Sequence, residues 1–287
     1  MKPFVPGRPH WWQWPTILSL DAPLVAMGWQ WLLARVARVP LGWHHVAILG
    51  LSVWLAYVAD RWIEGWRLVP DQIRTQRHHF YQRWRGPLAV IGLAALALDL
   101  ALAGIWLTRR EFTAGLVLLG PTTAYLLSHQ LVHRHHRWRA PKEVCVAALL
   151  SGGVAVFPAA APGIAWGALA VPLAFFGLLC FANCALISVW EQAVDEAHGQ
   201  TSLALQFREG HGAVRALPWL IALATAALAF DLSGPRRTAL VCATVSGLLL
   251  GLVDLAERRA GPRLARALAD IALMSPIAVL LFEVFWF

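Results

Sequence analysis

Charge is scarce in this sequence. Asp, Glu, Lys and Arg make up only 14% of its 287 residues, against 59% hydrophobic residues and a mean hydropathy of +0.58. That is far too apolar for an ordinary soluble domain, and it marks an integral membrane protein. Cysteine is sparse as well: Cys145, Cys180, Cys184 and Cys242 all fall inside apolar runs without CxxC spacing. Neither a zinc ribbon nor a disulfide framework is indicated, and the four read as small buried hydrophobes. The opening stretch MKPFVPGRPHWWQWP sets prolines and tryptophans where a cleaved signal peptide needs an uninterrupted apolar core. No separate soluble domain, linker or low-complexity tail is visible.

What the chain does contain is apolar sequence in helix-length pieces. A helix crossing the hydrocarbon core needs ~20 mostly apolar residues. Cutting at charged or Pro/Gly-rich breaks gives nine segments, near 16-34, 43-63, 87-107, 113-133, 143-159, 163-190, 215-231, 238-256 and 267-287. The expectation is an all-α polytopic membrane protein of about nine transmembrane helices in one domain, 1-287. Sixteen tryptophans suit the membrane interface, where an indole keeps its apolar body in lipid and its N–H near water.

The net charge of +8 comes from basic residues that cluster between apolar runs, as membrane topology requires and nucleic-acid binding does not. With the N-terminus inside, 18 of the 24 Lys and Arg fall on the inner side, and only Arg35, Arg38, Arg109, Arg110, Arg236 and Arg237 outside. The positive-inside rule therefore predicts a cytoplasmic N-terminus and a C-terminus on the opposite side of what would be a bacterial inner membrane.

Two stretches carry the chemistry. Trp54 to His79 ends an apolar run in Asp60 and Glu64, then continues into Arg74, Thr75, Arg77 and His78. Ala182 to Ser202 ends another in Glu191 and Asp195, then Gly199, Gln200, Thr201 and Ser202. Residues i and i+4 share a helix face, so each pair presents two carboxylates in one direction. Four converging acids suit Mg2+, and neighbouring guanidinium groups suit a pyrophosphate. Asp60 and Glu191 are 131 residues apart, which predicts two four-helix halves, about 15-135 and 143-256, plus a final helix at 267-287.

Other features need weighing. Among acids within apolar spans, Asp21 in SLDAP is the strongest candidate to contact substrate, whereas Asp99 and Asp270 are expected to hydrogen-bond between helices; Asp254 and Glu283 complete the set. His129, His133, His135 and His136, with His78, His79, His198 and His211, could in principle bind iron, but the spacing is HxHH and the last two are isolated. Basic interfacial side chains are the simpler account of them.

The residues just quoted resemble the UbiA superfamily of intramembrane prenyltransferases, whose members have nine helices and two Asp-rich cytoplasmic motifs. Tyr57-Val58-Ala59-Asp60-Arg61 and Glu64 resemble the later part of the first motif, and Arg74-Thr75-Gln76-Arg77-His78 its basic continuation. Glu191, Asp195, Gly199 and Ser202 resemble the second. The chain departs where the family's first motif opens with Asn-Asp and this sequence has Ala56-Tyr57, and where Ile187 stands for the first acid of the second motif.

The resemblance implies prenyl transfer from a prenyl diphosphate to an aromatic or other lipid-soluble acceptor. It implies Mg2+ on Asp60, Glu64, Glu191 and Asp195, with the diphosphate clamped by Arg74, Arg77 and Lys142 beside Arg61. Tyr57, Trp54, Phe80 and Trp190 would supply aromatic faces for an allylic cation, and Asn183 and Asp21 would meet substrate. Two other classes stay open: a catalytically silent lipid-, quinone- or pigment-binding relative or membrane-complex subunit, and a His-ligated di-iron oxidase.

Overall fold

In the computed structural model the described residues are 8–67, 73, 75–128, 141–164, 166–197 and 202–286. They are all-α, with no strand among them. After a short 3-10 turn come α1 (Trp14–Ile17), α2 (Asp21–Ala37), α3 (Trp43–Arg67), α4 (Gln76–Arg83), α5 (Arg85–Trp106), α6 (Arg109–Leu127) and α7 (Lys142–Ala160). Then follow α8 (Trp166–Trp190), α9 (Gln192–Ala197), α10 (Leu203–Gln206), α11 (His211–Phe230), α12 (Gly234–Ala260), α13 (Pro262–Ala272) and α14 (Ser275–Trp286).

Among the described residues, six helices are long and apolar enough to span a bilayer, namely α3, α5, α7, α8, α11 and α12; two bent pairs raise the number to eight. The first pair is α1 with α2, bent by 75°, and the second is α13 with α14, bent by 51°. Sequence composition runs apolar through both breaks, so each is predicted as one helix. The first break is made by Ser19, whose φ of 55° lies in the left-handed region that interrupts a helix. Its hydroxyl is tied to the Tyr81 phenol at 3.1 Å. The helix α6 covers most of the described part of the fourth predicted segment and starts four residues before it; with Arg109, Arg110 and Glu111 in its first turn, it is not among the six.

The core lies where α2, α7, α8 and α12 meet. Trp29 is fully buried there, tilted against Phe176 at 4.9 Å, and its indole N–H donates to the Leu273 carbonyl at 2.8 Å. That carbonyl is exposed by the break between α13 and α14, so the bend and the tryptophan satisfy each other. By contrast α5 packs on α3 and α6 on α7, each through one stripe of residues, and their remaining faces carry Leu, Ile and Val outward. Such faces suit lipid. The predicted interhelical role of Asp99 is seen directly, since it accepts from Ser52 on α3 at 2.7 Å.

Candidate functional site

The C-termini of α3, α6 and α8, the N-termini of α2 and α7, the short helices α4 and α9, and α13 come together at one end of the bundle. Between them is a cavity of about 180 Å³. That is room for on the order of ten waters. It is lined by Asp21, Tyr57, Asp60, Arg61, Glu64, Arg77, Lys142, Asn183, Glu191 and Asp195, among others. These ten are predicted site residues contributed by α2, α3, α4, α7, α8 and α9. The eleventh, Arg74, lies outside the described residues, as do His129, His133, His135, His136 and His198.

Four residues that sequence patterns did not single out for this site also line it: Tyr125, Glu143, Arg266 and Asp270. Arg266 matters most, because it reaches Glu191 at 2.5 Å from α13. Arg77 on α4 meets the same carboxylate at 3.3 Å. Lys142, at the start of α7, lies 3.3 Å from both carboxylate oxygens of Asp195. Glu64 accepts from His78 Nε2 at 2.9 Å, and His78 Nδ1 sits 2.7 Å from the Thr75 hydroxyl that caps α4. Glu143 accepts from the Leu203 backbone N–H at 3.1 Å, fastening α10 to α7.

Three of the four predicted metal ligands, Glu64, Glu191 and Asp195, are therefore engaged by basic side chains, and Asp60 also has a partner. Among the described residues no group of three or more His, Cys, Asp or Glu side chains is arranged to hold a metal ion. As they stand, these acids do not fit a Mg2+ ion: Glu191 would first have to leave Arg77 and Arg266, Asp195 would have to leave Lys142, and Glu64 would have to give up its hydrogen bond from His78.

The basic residues are the less satisfied party. Arg61, Arg77 and Arg266 each bury an Nε–H that has no hydrogen-bond partner among the described residues. Arg77 registers the crowding: burial, followed by the positive charges of Arg266 and Arg61, pulls its guanidinium down to about 9 despite the opposing pull of Glu191. Burial alone would push the Glu191 carboxyl up, but Arg266 and Arg77 hold it at about 2. A buried guanidinium with a spare N–H is an open valence for an anion.

The aromatic candidates divide. Tyr57 lines the cavity, joined by Tyr125. Trp54, Phe80 and Trp190 are used in packing instead: Trp54 donates to the Leu18 carbonyl, Phe80 meets Trp14 edge-on, and Trp190 donates to Asp254, which also accepts from Arg215. His211 lies 3.3 Å from the Ala204 carbonyl, so it serves a local contact. Asp270 accepts from Asn183 at 3.0 Å, which links α13 to α8 as expected.

An apo structure of a UbiA homolog from Aeropyrum pernix K1 superimposes with a TM-score of 0.57 over 92% of this chain and 98% of that one, at 14% sequence identity. The chain has the UbiA fold. No family model matches the sequence, and no curated protein does. Within this fold, Asp60 and Glu64 near the C-terminus of α3, Glu191 just past the end of α8 and Asp195 in α9 all line one cavity.

Proposed function

We propose that the chain is a UbiA-like prenyltransferase that binds a prenyl diphosphate by its phosphates and transfers the prenyl group to a lipid-soluble acceptor. The single observation that supports this most is the trio Arg61, Arg77 and Arg266, three buried guanidiniums with unpartnered N–H groups around one cavity at the end of a membrane bundle. A diphosphate accepts many such hydrogen bonds at once, and Lys142 adds an ammonium. When the prenyl C–O bond breaks, its electron pair leaves on the diphosphate, and these cations stabilise the developing charge. Tyr57 and Tyr125 line the cavity, and aromatic rings stabilise an allylic cation.

Mg2+ is the cofactor the resemblance implies. Asp60, Glu64, Glu191 and Asp195 would hold it, but Glu64, Glu191 and Asp195 are engaged by basic side chains, so the phosphate charge is assigned to the arginines and the lysine. The site is placed at the cytoplasmic face of a bacterial inner membrane, with the N-terminus on that side, because most Lys and Arg fall there. The internal repeat over 15-135 and 143-256 is supported by the way α3 ends with Asp60 and Glu64 and is followed by the short α4, while α8 ends beside Glu191 and is followed by the short α9, which carries Asp195, and α10.

A second reading, a binding protein without turnover, is favoured by Tyr57 and Ile187 at acid positions. One experiment separates the two. The purified protein in detergent is titrated with inorganic pyrophosphate and with geranyl and farnesyl diphosphate, and free diphosphate is assayed. Binding with release supports transfer, and binding without release selects the silent relative. Absence of binding by wild type, or binding indifferent to Arg77→Ala and Arg266→Ala, overturns the assignment of the cavity.

A further inference from the structure

The end of the bundle opposite the cavity carries a groove between α2 and α14. These two helices are matched in register. At Gly28 an added Cβ would lie 2.9 Å from the Ile277 side chain, so the helices are in close contact there. Three residues further along each chain come Trp31 and Leu280, and seven residues further come Arg35 and Val284, with Glu283 next to the latter. Positions i, i+3 and i+7 share a helix face, so two stripes oppose each other beyond the tight rung. There the helices leave a groove of about 420 Å³ lined by Trp31, Arg35, Leu280, Glu283 and Val284. Asp21 lines the cavity at the start of α2. From Asp21 to Arg35 the helix rises about 21 Å at 1.5 Å per residue, which puts the groove far from the cavity.

The groove combines a membrane-facing surface with a pair of charges. Leu281, Phe282, Val284 and Phe285, on either side of Glu283, are exposed apolar side chains of the kind that meets lipid. A carboxylate among them calls for a partner, and Arg35 Nη1 donates to it across the groove. The pair is nevertheless not withdrawn from the surface, with side chains 42% and 36% exposed. The Arg35 guanidinium also lies over the Trp31 ring, 5.1 Å from its centroid, which holds the planar fork in place. One N–H group serves Glu283, and a guanidinium has others to offer an oxyanion.

The bilayer supplies the occupant, and the charges select it. Arg35 and Glu283 together are neutral, yet they set a positive and a negative pole side by side. A headgroup with a phosphate alone would satisfy Arg35 and bring its charge against Glu283. A headgroup with both a phosphate and an ammonium complements both poles. We propose that this groove binds one phospholipid whose headgroup carries a phosphate and a primary ammonium, that is, a phosphoethanolamine lipid. Its phosphate accepts from Arg35, its ammonium donates to Glu283, and the upper part of an acyl chain lies on Leu280 and Val284. A trimethylammonium headgroup has no N–H to donate, so it forfeits the charge-assisted hydrogen bond to the carboxylate. The site is independent of what the cavity binds.

The test titrates dioleoyl phosphatidylethanolamine, phosphatidylcholine and phosphatidylglycerol into the full chain purified in detergent. Native mass spectrometry reads the dissociation constant of the first bound lipid. Wild type is expected to bind the ethanolamine lipid about tenfold more tightly than either of the others. Glu283→Gln removes the charge and keeps the shape, so it should bring the ethanolamine-to-glycerol ratio close to one. Arg35→Gln should weaken the ethanolamine lipid by about tenfold. A single sharp melting transition certifies that each variant is folded, and the comparison of lipids on wild type stands without either variant. Wild-type affinity for the choline or glycerol lipid as high as for the ethanolamine lipid, binding of none of the three, or an ethanolamine preference unchanged in both variants overturns the proposal.

Discussion

Arg77 on α4 and Glu191 at the end of α8 meet at 3.3 Å, joining two acid-bearing regions that lie 114 residues apart in sequence. Arg266 shares the same carboxylate. Glu191 is thus the counter-charge that lets two guanidiniums be buried together, and removing it leaves both uncompensated. Glu191→Gln should lower stability by about 2–4 kcal/mol, less than for a dry ion pair because the cavity admits water. The same variant should gain more thermal stability from added pyrophosphate than wild type does, because the anion replaces the lost charge. A carboxyl held at about 2 stabilises the folded state above its unfolded value of 4.5, and this contribution is lost as pH falls through that interval toward 2. Melting curves with and without pyrophosphate check all three statements.

The pairing of Asp195 with Lys142 and of Glu64 with His78 bears on metal dependence. A Mg2+ ion would have to displace the Lys142 ammonium from Asp195 and break the hydrogen bond from His78 to Glu64, leaving both partners without their acceptor, a cost that offsets much of its binding. Pyrophosphate affinity is therefore expected to change by less than about threefold between excess EDTA and millimolar Mg2+, whereas Arg77→Ala or Arg266→Ala should weaken it by about ten- to a hundredfold. Calorimetric titration under the two conditions is the measurement. A steep Mg2+ requirement in wild type would show that the acids release their partners when metal and anion arrive together.

Much of this arrangement was legible from the chain. Both acidic pairs sit at ends of apolar runs with i,i+4 spacing, and that pattern survives without any knowledge of packing. Arg266 was not legible, because it lies on α13 in a basic run, RRAGPRLAR, whose other arginines resemble an ordinary positively charged helix end. What distinguishes it is a partner 75 residues earlier. Tyr125 and Glu143 escaped for the same reason: each is a lone residue at a helix end whose role depends on which neighbour the bundle supplies. The breaks after α1 and α13 were hidden by continuous apolar composition, since a left-handed Ser19 leaves no compositional mark.

The seam between α11 and α12 offers a test of packing apart from the site. At Gly247 an added Cβ would lie 2.8 Å from the Pro218 carbonyl oxygen and 3.1 Å from the Ala222 Cβ, so the two backbones approach as closely as they do because that side chain is absent. Gly247→Leu must push the helices apart, at a cost of about 1–3 kcal/mol. None of these three residues lines the cavity. Thermal unfolding in detergent should show the loss, and pyrophosphate affinity of the folded fraction should be unchanged.

His78 gives the clearest pH signature. Its ring is almost completely buried between Glu64 and Thr75, and burial, reinforced by Arg77 and Arg61, lowers its pKa to about 4 even though the Glu64 carboxylate pulls the other way. In the unfolded chain the same imidazole titrates at its ordinary value of 6.5. Between these two values the unfolded state binds the extra proton, so stability is full above 6.5 and declines as pH falls toward 4. A difference of that size amounts to about 3 kcal/mol at most. Glu191 adds its own loss only below its unfolded value of 4.5, so it does not contribute to the decline from 6.5 to 4.5. His78→Gln keeps a side chain able to donate to Glu64 but removes the titration, so its melting temperature should fall less across that interval than that of wild type. Parallel curves for the two proteins would assign the pH response to another group.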